Sequence, residues 1–90
     1  MKKINLAITG CMGRMGQQFI KSTKSYKSFK LVALTENRII NKKINGIKPE
    51  LNTEKAFKNA NIIIDFTVPR CTFEVLKIAS KLKKRVVIGT

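Results

Sequence analysis

The placement of Gly10, Gly13 and Gly16 constrains this chain more than any other feature. The run before them, residues 4–9, is short, rich in apolar and β-branched residues, and predicts a buried strand. The stretch after them, from about Arg14 to Lys27, carries Met15, Phe19, Ile20 and Tyr26 at a spacing that predicts an amphipathic helix. Residues 29–34 predict a second strand. A strand, helix and strand in one sheet require parallel pairing and a right-handed crossover. Glycine at the turn lets the chain leave the strand sharply, bring its backbone close to a ligand, and pack helix against sheet.

The rest of the chain extends the same plan. Residues 36–52 are polar, hold Gly46 and Pro49, and predict a long surface loop with at most a brief extended piece near Ile47. Thr53 suits the cap of a short helix reaching Asn59, with Ala56 and Phe57 turned inward. Residues 62–66 are apolar at consecutive positions, as in a strand covered on both faces. Pro69 suits the first turn of a further helix with Val75, Leu76, Ala79 and Leu82 as its inner stripe, and residues 85–89 predict a last strand. This order predicts an α/β fold, a Rossmann-like open parallel sheet with helices on both faces. Ninety residues fit one domain, spanning 1–90.

Composition excludes several functions. No apolar stretch approaches the ~18–20 residues of a membrane span. The basic start Met1-Lys2-Lys3 leads into a strand and does not read as a signal peptide, so a cytoplasmic protein is expected. Cys11 and Cys71 are too few for a disulfide framework, lack metal-site spacing, and read as reduced thiols. Histidine is absent, which removes the commonest general acid/base and the commonest metal ligand; no metal is expected. The net charge of +14 has two readings, a nucleic-acid surface or compositional drift. Fifteen of the 19 cations are lysines scattered along the chain, with no Trp and one Tyr, and this pattern favours drift. Specific nucleic-acid binding is therefore not expected, although the field attracts anions generally.

The glycine turn carries the chemistry. A pyrophosphate needs backbone N–H donors at close range, and a helix N-terminus supplies them with a partial positive charge. Gly10 suits the turn out of the strand, Gly13 the approach to phosphate, and Gly16 the helix packing. Glu36 stands 20 residues after Gly16, where a carboxylate can accept from ribose hydroxyls and repel a 2′-phosphate; the alternative is a solvated strand-end acid. Arg38 could offset that repulsion. Arg14 either faces an anion or is a solvated charge at the helix start. Phe66 and Thr67, at the carboxyl end of the third predicted strand, either line the cleft or serve as core residue and helix cap. Cys11 reads as a small turn residue whose nearness to a helix N-terminus could lower its pKa, and Cys71 as a helix residue.

Three segments, Ile8-Thr9-Gly10-Cys11-Met12-Gly13-Arg14-Met15-Gly16, Ile64-Asp65-Phe66-Thr67-Val68-Pro69 and Val87-Ile88-Gly89-Thr90, together resemble the 4-hydroxy-tetrahydrodipicolinate reductases of bacterial lysine and diaminopimelate synthesis. The resemblance covers all 90 residues, which correspond to the N-terminal nucleotide-binding part of such an enzyme. It implies an oxidoreductase of the cytoplasm that passes hydride from NADH or NADPH to a cyclic dipicolinate-type substrate, usually as a homotetramer. By position it assigns the pyrophosphate to Gly10, Cys11, Met12, Gly13, Arg14 and Met15, and the adenosine ribose to Glu36. Gly89 and Thr90 would begin a turn near the nicotinamide. Family members often carry Arg directly after the acid and after the Asp-Phe-Thr; Asn37 and Val68 stand here, with Arg38 and Arg70 nearby. The substrate-binding His-His and Lys residues of the family belong to a C-terminal domain, expected beyond Thr90.

Two kinds of alternative remain from the residues alone. One is the nucleotide-binding half of another amino-acid-pathway dehydrogenase, or a domain that senses the dinucleotide without chemistry. The other is a basic nucleic-acid module. Since no residue here is expected to donate a proton or hold the substrate near the nicotinamide, no catalytic residue is assigned. The 90-residue chain by itself should show no reductase turnover in an NADH-oxidation assay with the dipicolinate-type substrate.

Overall fold

A computed structural model of the protein describes residues 3–89. Its elements run β1 (Ile4–Thr9), α1 (Arg14–Thr23), β2 (Phe29–Glu36), β3 (Glu50–Leu51), α2 (Glu54–Phe57), β4 (Ile62–Asp65), α3 (Pro69–Leu82) and β5 (Arg85–Ile88). The strands form one sheet in the order β3-β2-β1-β4-β5, and every pairing is parallel. The chain winds outward from β1 to β3, then restarts beside β1 with β4. Strand order reverses between β1 and β4, and in such sheets the crevice outside the carboxyl ends at that point is where ligands bind.

Alternation along the strands fills two separate layers of core. Ala7, Ala33 and Ile63 pack on one face with Phe57 of α2 and Val75 and Ala79 of α3. The next residues along, Ile8 and Leu34, pack on the other face with Ile20 of α1. Both faces are thus covered, which is why β1 and β4 read as continuous apolar runs.

The structure departs from the periodicity in three places. Helix α1 stops at Thr23, whose hydroxyl donates to the Ile20 carbonyl; turns at Ser25 and Tyr26 follow, and Tyr26 lies on the surface against Phe29. Met15 is likewise exposed, because Gly16 is the first-turn residue that faces the fold. In α3 the buried stripe runs through Thr72, Val75 and Ala79, leaving Leu76 at its edge and exposed. The predicted loop 36–52 contains β3, whose two residues pair with Thr35 and Glu36. It also contains a tight reversal at Asn45 (φ 52) and Gly46 (φ 78), closed by paired hydrogen bonds between Ile44 and Ile47.

One polar cluster ties the carboxyl ends of β1 and β4 to α3. Asp65, fully buried opposite Thr9 in the β1–β4 register, accepts from the hydroxyls of Thr9, Thr67 and Thr72 and from the Thr67 amide. Burial alone would raise the pKa of this carboxyl, but the hydrogen bonds outweigh it and hold the pKa below the ordinary 3.8. A group with a depressed folded-state pKa contributes stability above its unfolded value and loses that contribution as the pH falls through the folded one. Asp65→Asn should therefore lower stability at pH 7 by about 2 kcal/mol. It should also weaken the loss of stability on acidification below about pH 4. Urea unfolding of both proteins across that range checks the two effects together.

Candidate functional site

The three glycines of the turn do different work. Gly10 has φ +66, and a Cβ there would come within 2.9 Å of the Phe66 carbonyl group, so the exit from β1 lies directly on the backbone that leaves β4. A Cβ on Gly16 would sit 2.4 Å from the Gly10 oxygen, which shows how closely α1 approaches the turn. Gly13 is different. A Cβ there meets only the Gly10 oxygen at 3.4 Å, an ordinary contact, and its φ of −73 suits any residue. The protein itself has room for a side chain at Gly13, and the bare backbone leaves open space at the mouth of α1.

Hydrogen bonds sort the amides of the turn in the same way. The Cys11 amide donates to the Thr35 carbonyl, Gly13 to Gly10, and Met12 to Glu36 Oε2 at 2.9 Å. The amides of Arg14, Met15 and Gly16, in the first turn of α1, have no partner among the described residues. Gly13 as N-cap offers no side-chain acceptor, and no acidic residue stands in that first turn. An uncapped helix start presents N–H donors and the positive end of the helix dipole to whatever anion arrives. Arg14 is exposed beside it and forms no ion pair among the described residues.

Glu36 closes the other side. At the end of β2 it is 9% exposed, and its second oxygen accepts from its neighbour's amide, Asn37 N, at 3.1 Å. Both oxygens are thus oriented by backbone donors, while a carboxylate offers about four acceptor positions in all, leaving roughly half for hydroxyl groups. From the sequence Glu36 is either a ribose contact or a solvated strand-end acid; it is not solvated, and its bracing of the turn through Met12 depends on a contact 24 residues apart that no spacing reveals. Between these walls lies a hollow of about 170 Å³ lined by Gly10, Gly13, Glu36, Phe66, Thr67 and Cys71, among others. It has the size of a sugar phosphate and not of a whole dinucleotide.

The remaining candidates divide. Phe66 is half-buried, with Phe19 at 5.7 Å on one side. On the other is Gly89, where any Cβ would strike the Phe66 ring at 2.4 Å; Gly89 makes room for that ring. Thr67 lines the hollow but spends its hydroxyl on Asp65, and the α3 N-cap is Val68, without a side-chain bond. Met12 is half-buried, and Met15 borders a neighbouring hollow beside Phe19 and Phe66. Arg38 is exposed and borders a separate depression with Met12, Ile40 and Lys42, outside the main hollow. Thr90 lies outside the described residues.

The two thiols also separate. Cys11 points into the core with Ile8, Ile20 and Leu34, and burial, reinforced by the Glu36 charge, pushes its pKa up to about 11. The helix start does not activate it. Cys71, which the sequence suggests only as a helix residue, lines the hollow with Asn37 Nδ2 at 3.8 Å from its sulfur. Its position at the third residue of α3, just past a strand end, was the available signal. Among the described residues no cluster of three metal-ligating side chains occurs, and no helix is long and apolar enough to cross a membrane.

With this geometry in view, comparison with known proteins gives a consistent result. The family described as dihydrodipicolinate reductase, N-terminus, matches residues 4–90. A 4-hydroxy-tetrahydrodipicolinate reductase of Pelagibacter ubique is 72% identical over 90 residues, covering 100% of this chain and 35% of the relative. The chain thus spans about a third of the length of the curated relatives it matches. Among solved structures, a dipicolinate-bound dihydrodipicolinate reductase from Paenisporosarcina sp. TG-14 superposes with a TM-score of 0.79 at 24% identity, over 98% of this chain and 37% of that one. A Rex-family repressor superposes with a TM-score of 0.85 at 18% identity, over 99% and 46%, and at such identities the likeness concerns the fold. The chain belongs to the dihydrodipicolinate reductase family and corresponds to its N-terminal part.

Proposed function

We propose that the chain binds the pyrophosphate of NADH or NADPH at the start of α1 and is the nucleotide-binding part of a 4-hydroxy-tetrahydrodipicolinate reductase. The observation that carries this reading is the uncapped first turn of α1, with the Arg14, Met15 and Gly16 amides unpartnered beside a glycine whose missing side chain leaves the approach open. The family relationship supports the same reading. Glu36 then accepts from the adenosine ribose with the acceptor positions its backbone donors leave free. Phe66, held between Phe19 and Gly89, forms the wall on the β4 side.

Bound in this way, the dinucleotide supplies a hydride for a cyclic dipicolinate-type substrate in lysine and diaminopimelate synthesis. The chain's own part is to fix the diphosphate, and with it the direction in which the rest of the cofactor lies, and to keep the turn rigid through the Met12–Glu36 bond. Substrate binding and proton donation belong to the remaining two thirds of the longer relatives, as does most of the contact surface of a cytoplasmic homotetramer.

Two measurements test the reading. NADH fluorescence should change on titration with the chain, and Gly13→Val should weaken that binding roughly a hundredfold by filling the phosphate approach. Because Gly13 has room for a side chain, the variant should keep its circular dichroism and melt within a few degrees of the parent. Unaltered binding in a folded Gly13→Val protein would refute the phosphate assignment. In addition, a thiol reagent should label Cys71 readily and Cys11 hardly at all. Saturating NADH should slow the Cys71 reaction, and equal rates with and without nucleotide would place the ligand elsewhere.

A further inference from the structure

Lysines that are scattered along the sequence are gathered by the fold. At the end of the sheet where the parallel strands begin, Lys3, Lys24, Lys27 and Lys30 border one basin of about 320 Å³. The topology brings them there. Lys3 precedes Ile4, Ile4 pairs with Phe29, Lys27 and Lys30 flank that residue, and Lys24 follows the last residue of α1. All four lysines are exposed, whereas Phe29, Leu31 and Ile47 are half-buried and give the basin an apolar floor. Tyr26 stands at its rim with its ring on the surface. We propose that this basin is a second anion site and takes a polyphosphate, either free or carried by a nucleoside. It does not rest on the dinucleotide reading, since the length of β1, roughly 17 Å, separates it from the glycine turn.

Four ammonium groups around one basin repel one another, and the described residues supply nothing to offset them. No acidic residue is among those lining the basin, and the ion pairs Lys77–Glu74 and Lys81–Glu54 involve none of the four lysines. Glu36 and Asp65 end β2 and β4, and Glu50 lies in register with Thr35, so these acids stand at the opposite end of the sheet. A chain of phosphates brings several negative charges within a short span and can meet several ammoniums at once. A single carboxylate would leave most of the cluster unmatched. Lysine binds phosphate as a point charge, without the fixed fork geometry of arginine, and so suits a flexible chain of phosphates. The reversal at Asn45 and Gly46 adds Asn45 and Ile47 to the wall, which makes the basin a bounded space and not a track across the surface.

One effect opposes an anion here. The basin adjoins the carboxyl end of α1, where the helix dipole places about half a negative charge. Two of the carbonyls there are already engaged, Ser22 O by the Ser25 amide and Thr23 O by the Tyr26 amide. Four full positive charges outweigh what remains. The +14 chain also attracts any polyanion through its general field, so the mark of a site is that these lysines matter more than others.

Tyr26 is the one tyrosine of a chain without tryptophan, so tyrosine emission reports on this rim. The test uses the Gly13→Val protein, in which the phosphate approach of the glycine turn is filled, at about 0.15 M salt. Titration with sodium tripolyphosphate should change the tyrosine emission saturably. Lys24→Gln with Lys27→Gln should weaken that binding at least about tenfold. Lys55→Gln with Lys77→Gln changes the net charge equally at exposed positions outside the basin and should weaken it less than about threefold. Circular dichroism checks that each variant is folded. Equal losses in the two pairs would leave only the general field, and a flat tyrosine signal would place bound phosphate elsewhere; either result overturns the proposal. Calorimetry with ATP then separates the two sources. Binding about tenfold tighter than tripolyphosphate supports a nucleoside polyphosphate with its base on the apolar floor; equal or weaker binding supports the free polyphosphate. Affinity for oligothymidylate that climbs with its length would mean an extended nucleic-acid track and overturn the small-ligand assignment.

Discussion

A single buried carboxylate holds the site's two walls in register. Asp65 ends β4 beside Thr9, the last residue of β1, and gathers hydroxyls from Thr9, from Thr67 in the following turn, and from Thr72 one turn into α3. A charge buried away from water is tolerable only when its acceptor positions are filled. Here the donors come from three different elements, so satisfying the charge also fixes where those elements sit. The crevice between β1 and β4 depends on that arrangement, because Gly10 and Phe66 touch across it with no room for a Cβ.

A second carboxylate repeats the logic at the edge of the crevice. Glu36 ends β2, and its hydrogen bond from Met12 anchors the glycine turn to the neighbouring strand. The turn's amides are thereby divided: those of Cys11, Met12 and Gly13 are consumed in holding its shape, and those of Arg14, Met15 and Gly16 are left facing outward. A helix start left in this state can meet an anion with no lysine or arginine in contact. Of the 19 basic residues, none of those described lines the hollow.

Much of the fold was legible because its elements are long or strongly patterned. The runs in β1, β4 and β5, the helix after the glycines and the Pro69 start of α3 all follow from local physics. The misses have local causes as well. Strand β3 has two residues, too few for any periodicity, and exists through pairing with Thr35 and Glu36. The spacing carries α1 on to about Lys27 because Tyr26 continues it, whereas the helix ends at Thr23 and the Tyr26 ring lies on the surface against Phe29. Cys11 is a small turn residue as its place in the chain suggests, but the nearby helix start does not lower its pKa, because its side chain turns into the core, where burial dominates.

What the sequence by itself determined is local: a strand, a glycine turn and a helix in succession, and an acid twenty residues after the last glycine, near the end of the next strand. Such features are set by backbone freedom and side-chain period, which act over a few residues. The tertiary structure alone decided which amides are spent and which remain, that a side chain would find room at Gly13 but not at Gly10 or Gly16, and that both oxygens of Glu36 are held by backbone amides. It also brought Cys71 and Phe66 to the lining and turned Arg38 away from it. These are outcomes of hydrogen bonds and packing between residues far apart in the chain, and their geometry exists only once the sheet has brought the strand ends together.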